Sequence, residues 1–194
     1  MNIKAALEKL VPGAKYIDNI EWSDGQFPEI TPQVYEDIIW LDDRTKPDMF
    51  DVGICCLNIL KDVRCNEIDK LRDEKLAVGA PYNFPNDIFG HIQIRDEKDR
   101  INVLTNGNVG LVYVINNQPN SPMTFRDKEN KIHNMSALEI MNMSLYAASF
   151  GQNIYTTSWL HKDHIRDYEI LEQTINGIQN GYGYISNYDI TIGW

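Results

Sequence analysis

The chain has 194 residues, 43% of them hydrophobic and 24% charged, with 18 Lys and Arg against 28 Asp and Glu for a net charge of −10. Such a composition belongs to a folded chain of one to two domains and excludes a disordered, collagen-like or fibrous one. No apolar run approaches the roughly 18 residues of a bilayer span and charges arrive too early for a secretory signal, so no membrane insertion is expected, and the acidic excess opposes nucleic acid as a partner.

In chain order, residues 3–10 place Ile3, Ala6, Leu7 and Leu10 on one face of a short helix that Pro12-Gly13 stops. The next segment is a small irregular N-terminal module, aromatic and acidic, in which Thr31-Pro32 reads as a capped helix start. Up to residue 53 the chain holds 11 acids against 5 bases, which points to a basic protein surface as a complement. Over residues 50–78 the apolar positions Ile54, Leu57, Leu60, Val63, Ile68 and Leu71 recur at helical spacing. They suit either a helix on its own core or an oligomerising coiled coil. Gly79-Ala80-Pro81 ends the helix, and residues 83–87 read as a loop.

Residues 88–95 alternate as a half-buried strand does. A helix starting near Asp96 is expected to turn Ile101, Leu104, Val109 and Leu111 inward, weakened by about 1 kcal/mol for each of Gly107 and Gly110. Residues 123–126 and 131–134 read as a hairpin with a four-residue loop, Phe125 and Ile132 facing the core. Ser136 and Glu139 spell a capping box for a helix whose apolar positions are Leu138, Ile140, Met141, Leu145, Ala148, Ile154 and Trp159. Asn176-Gly177 and Asn180-Gly181 are expected to break the last helical stretch before a tail rich in Gly and Tyr. The sum is α+β: a small antiparallel sheet, strand plus hairpin, packed with several helices beside the N-terminal module, with boundaries expected at 1–50, 51–180 and 181–194.

Phosphate-loop, dinucleotide, nucleophile-elbow and HExxH signatures are absent from the sequence, so no catalytic residue, no metal and no cofactor is expected. His161 and His164 have i, i+3 spacing but no third ligand in view. The acidic residues Asp42, Asp43, Asp48 and Asp51 lack the spacing of a calcium loop. The alternating charges of residues 95–100 suit a solvated helix start with internal ion pairs, and His91 and His133 could share a sheet face. Cys55, Cys56 and Cys65 read as free buried thiols. The aromatic side chains Tyr182, Tyr184, Tyr188 and Trp194, among glycines and asparagines, suit either an adaptable binding surface or packing of the tail on its own core.

The stretch Gly90-His91-Ile92-Gln93-Ile94-Arg95-Asp96 through Val103, then Thr124-Phe125-Arg126-Asp127-Lys128-Glu129-Asn130-Lys131, Ser136-Ala137-Leu138-Glu139 and Trp159, Lys162 and Ile165, resembles in order an uncharacterised domain family of tailed bacteriophages. That family recurs in tail-fibre and tail-fibre-assembly proteins. The ending Tyr188-Asp189-Ile190-Thr191-Ile192-Gly193-Trp194 and the opening Ala6 to Ala14, with the later Ile39-Trp40-Leu41-Asp42 and Lys46-Pro47, are similar to those of small phage tail proteins. The resemblance implies a structural virion protein of the tail fibre or its attachment to the tail or baseplate, serving host attachment, or alternatively a tail-fibre assembly chaperone. It further implies synthesis in the bacterial host cytoplasm, partners among other tail or fibre proteins, and a homo-oligomer, a trimer by preference. The surfaces expected to mediate these contacts are the stripe Leu57, Leu60 and Leu71 and the cluster Tyr182, Tyr184, Tyr188 and Trp194.

Overall fold

The computed structural model describes residues 3–18, 35–170 and 174–194. Its elements are α1 (Ile3–Leu10), β1 (Tyr16–Asp18), β2 (Ile38–Trp40), α2 (Met49–Val78), β3 (Ala80–Phe84), β4 (Ile88–Ile92), α3 (Glu97–Ile115), β5 (Pro122–Arg126), β6 (Ile132–Ser136), α4 (Ala137–Arg166) and α5 (Ile175–Asn187). The expected α+β class is the one observed, with helices accompanied by small antiparallel ladders. The expected helix start at Thr31-Pro32 lies outside the described residues.

The chain divides into two compact units, residues 1–67 with 162–190, and residues 68–161 with 191–194. In the first unit α1 buries Ile3, Ala6 and Leu7 together with Ile38 of β2 and Val52, Cys55 and Cys56 of α2. Among the described residues of the N-terminal module, β1 and β2 form a ladder that the sequence does not suggest, in which Tyr16 pairs with Trp40 and their rings stack 6.3 Å apart. Asp48 Oδ1 accepts from Asp51 N at 2.8 Å and so caps the start of α2. Lys61 Nζ donates to the carbonyls of Arg166 and Tyr168 at 2.9 and 2.7 Å, serving acceptors that the end of α4 leaves open.

Helix α5 corrects an expectation: Asn176-Gly177 and Asn180-Gly181 do not break it. Thr174 caps it by accepting from Gly177 N at 3.1 Å, and Gly181 admits a close neighbour, since a Cβ there would stand 2.6 Å from the Tyr168 ring.

In the second unit one core gathers Leu76, Ala80, Phe84, Ile92, Ile94, Val103, Phe125, Met135, Ile140, Met143, Ala147 and Ile154. Gly79 ends α2 with φ +86, and Lys128 Nζ donates to the carbonyls of Ala77 and Val78 at 2.9 and 2.7 Å. Strand β3, which the sequence reading treats as helix end and loop, pairs with β4 through a turn in which Asn86 and Asp87 take left-handed backbone, φ 64 and 57. Pro81 is tolerated because a two-stranded ladder has only edges. The strand and the β5–β6 hairpin accordingly stand in separate ladders, linked where Lys128 N donates to His91 O at 2.9 Å and His91 N donates to Glu129 Oε2 at 3.0 Å.

The hairpin exists, but its register differs from the expected one. Arg126 pairs with Ile132 and Phe125 with His133, so five residues form the loop. One added loop residue turns the return strand over, since side chains alternate with period two. His133 therefore lies buried beside Phe125, and Ile132 is 61% exposed instead of facing the core.

Candidate interaction surface

Helix α3 runs unbroken from Asp96, whose carboxylate accepts from Asp99 N at 2.8 Å as its cap. The face turned inward is lined by small groups. Val103, Gly107 and Gly110 are buried against α4, where a Cβ on Gly107 would fall 2.4 Å from Ser144 Cβ and one on Gly110 would fall 2.6 Å from the Ala137 carbonyl oxygen. Ser144 Oγ donates to Val103 O at 3.0 Å across the same contact. Glycines therefore let two helix backbones approach closely, which is their function here and the reason they do not break α3.

The large apolar side chains of α3 point the other way. Ile101, Leu104, Val109 and Leu111, expected inward, are 53, 49, 44 and 41% exposed, and Val112 and Ile115 are 57 and 69% exposed. On α4 the expected core positions Leu138, Leu145 and Trp159 are likewise 40, 61 and 51% exposed, while Ala137, Ile140, Met143, Ser144, Ala147 and Ile154 are buried. From Ile101 to Phe125 the sequence contains no Asp, Glu, Lys or Arg, and α4 from Ala137 to Leu160 contains Glu139 alone. In a chain of net charge −10, that leaves the outer side of α3 from Ile101 onward largely apolar and without charge. Two recesses flank this side. One of about 200 Å³ is bounded by Ile94, Arg100, Leu104, Ala148, Gln152 and Tyr155. The other, a groove of about 480 Å³, runs along Thr105, Asn108, Val112, Tyr113 and Asn116.

The residues singled out from the sequence fall elsewhere. Leu57 and Leu60 are 2 and 9% exposed, Ile68 is fully buried and Leu71 is half-buried. That stripe is therefore covered by the chain's own packing. Tyr182 is half-buried at the rim of the first unit's core. Tyr184 and Tyr188 stack on His164 with centroids 5.2 and 4.1 Å apart, and Tyr184 also stacks on Tyr168 at 4.8 Å. In the second unit Trp194 stacks on His161, whose Nε2 meets the Ile192 carbonyl at 2.9 Å. The tail thus packs on the chain's own side chains, and of its four aromatic side chains only Tyr184 is largely exposed.

The polar clusters are likewise occupied. Among the described residues no three His, Cys, Asp or Glu gather as metal ligands. Asp42 takes both Nε and Nη2 of Arg44 at 2.7 and 2.8 Å, and this guanidinium holds its carboxyl well below the usual carboxylate range. Arg95 Nε lies 2.8 Å from the buried Asp99 carboxylate. His91 and His133 sit on different ladders, yet one loop serves both. His91 Nδ1 meets Glu129 Oε1 at 2.8 Å, and the buried His133 Nε2 meets the buried Asp127 Oδ2 at 2.7 Å while stacking on Phe84 at 3.8 Å. Asp127 Oδ1 also accepts from Lys131 N at 2.8 Å, which closes the hairpin loop. This network has the form of a lock between loop and sheet.

The residues that sequence reasoning missed as a surface are thus Ile101, Leu104, Asn108, Leu111, Val112 and Ile115. Two signals point to them, the long charge-free run and the glycines opposite the apolar stripe. Residues 59–178, more than half of the chain and all of α3 and α4, match the family described as Domain of unknown function (DUF4376). Neither the curated proteins nor the solved structures contain a match.

Proposed function

The chain belongs to the DUF4376 family, and on that premise we propose that it is a structural protein of a tailed-bacteriophage virion, a component of the tail fibre or of its attachment to the tail or baseplate, acting in host attachment. The ordered resemblance of residues 90–103, 124–131 and 136–139 to phage tail-fibre and fibre-assembly chains supports the phage setting. The observation that supports work by contact is the exposed, uncharged apolar side of α3 from Ile101 onward, since isolated soluble proteins rarely leave such a side uncovered. Its partners on this reading are other tail or fibre proteins, met after synthesis in the host cytoplasm. Neither catalysis nor nucleic acid enters this role, and among the described residues no helix is long and apolar enough to cross a membrane.

Quantitative mass spectrometry of virions purified from the phage that encodes the chain tests the proposal. Peptides at a fixed stoichiometry to the fibre protein are the expected result. Their absence from virions, with the chain abundant in infected cells and bound there to unassembled fibre, would replace the structural role with that of an assembly chaperone.

A further inference from the structure

We propose that the outer side of α3 is covered by a second copy of this chain, the two α3 helices lying parallel and in register with Asn108 facing Asn108. The positions Ile101, Leu104, Asn108, Leu111 and Ile115 are spaced by three, four, three and four residues, which is the a and d seam of a two-stranded coiled coil. Ile occupies two a positions, Leu both d positions, and a lone Asn the central a position. Ile at a with Leu at d favours two strands, and a single polar a residue fixes the register. All four apolar members of the seam are between 41 and 69% exposed, and they lie on the side of α3 away from Gly107 and Gly110, which are buried against α4.

Two further observations select a copy of the same chain as the occupant. A chain of net charge −10 repels its copy wherever acidic surfaces meet, and the stretch from Ile101 to Phe125 carries no charge to repel. The central asparagine selects the orientation. In a parallel, in-register pair each Leu meets Leu and the two Asn108 amides meet and can hydrogen-bond, whereas antiparallel a-to-d packing would set each Asn108 against a leucine. Together with Val112 beside the seam, these side chains offer on the order of 450 Å² of apolar surface, more than half of the ~800 Å² that one partner of a standard interface contributes. The inference is independent of the phage setting. It also moves the oligomer interface from Leu57, Leu60 and Leu71 to α3, and favours two copies over three.

Light scattering coupled to gel filtration of the full chain should give twice the 22.4 kDa chain mass at tens of micromolar. A variant carrying Leu104→Glu and Leu111→Glu should run as a folded monomer with unchanged circular dichroism, because both side chains are already exposed within one copy. Asn108→Cys and, separately, Ile101→Cys should each form a disulfide-linked dimer under mild oxidation, the native cysteines being buried. A wild-type chain that stays at 22.4 kDa, a trimer, or a dimer that survives the double Glu substitution would overturn the proposal. Cross-linking at 108 but not at 101 would overturn the parallel register. None of these outcomes bears on whether the chain is found in virions, so the two proposals fail separately.

Discussion

Gly110→Ala is the sharpest test of how α3 is built, because local and tertiary effects act on it in opposite directions. In an isolated helix the change is favourable by about 1 kcal/mol, since alanine is the best helix former and glycine among the worst. Within this fold the new Cβ would stand 2.6 Å from the Ala137 carbonyl oxygen and 3.2 Å from Met141 N. Both are backbone atoms at the start of α4, so no rotamer change relieves the contact and the helices must separate by several tenths of an ångström. Overpacking of this kind costs about 1–3 kcal/mol. The expected net effect is a loss of up to about 2 kcal/mol, read as a lower urea midpoint by circular dichroism. Gly183→Ala in α5 is the control, since nothing lies within 4 Å of its added Cβ, and it should stabilise by about 0.5–1 kcal/mol. A Gly110→Ala chain at least as stable as wild type would refute the close α3–α4 contact.

Phe84, 2% exposed and stacked on His133, should cost about 3–5 kcal/mol when replaced by Ala, and a loss below about 1 kcal/mol in chemical denaturation would contradict its place in the core. Asp127→Ala removes the acceptor of both His133 and Lys131 N and should cost about 1–3 kcal/mol for each buried group left unpaired, with selective loss of hydrogen-exchange protection at β5 and β6 as its signature. The Cys56 thiol, pushed up to about 12 by burial and then by Cys55 beside it, stays protonated at pH 8; a thiol reagent should label it only after unfolding, and stoichiometric labelling of the native chain within minutes would contradict this. The Asp42 carboxyl is lowered first by its side-chain bond with Arg44, so its contribution to stability is present above the unfolded-state Asp pKa of about 4 and disappears as pH falls through the lower folded value. Arg44→Ala should bring the Asp42 midpoint back toward about 4 in an NMR titration, and an unmoved midpoint would remove Arg44 as the cause.

Much of the secondary structure is legible in the chain alone, because caps and stops are local chemistry. Asp96 before α3, Ser136 and Glu139 reciprocally bonded before α4, and Gly79 after α2 all act within a few residues of themselves. The α+β class comes from those boundaries together with the alternation read in residues 88–95, of which 88–92 form β4. Tertiary structure alone decided which face of each helix is inside. Periodicity locates an apolar stripe but not what covers it, so Leu57 and Leu60 proved to be core whereas Ile101, Leu104 and Leu111 proved to be surface. Gly107 and Gly110, which weaken a helix considered alone, make the buried side of α3 because close backbone approach needs the absence of a side chain. The partner of β4 and the side of β6 that faces inward were also beyond local reading. A strand with a proline scores poorly by propensity until another strand pairs with it, and one residue of loop length exchanges Ile132 for His133 in the core.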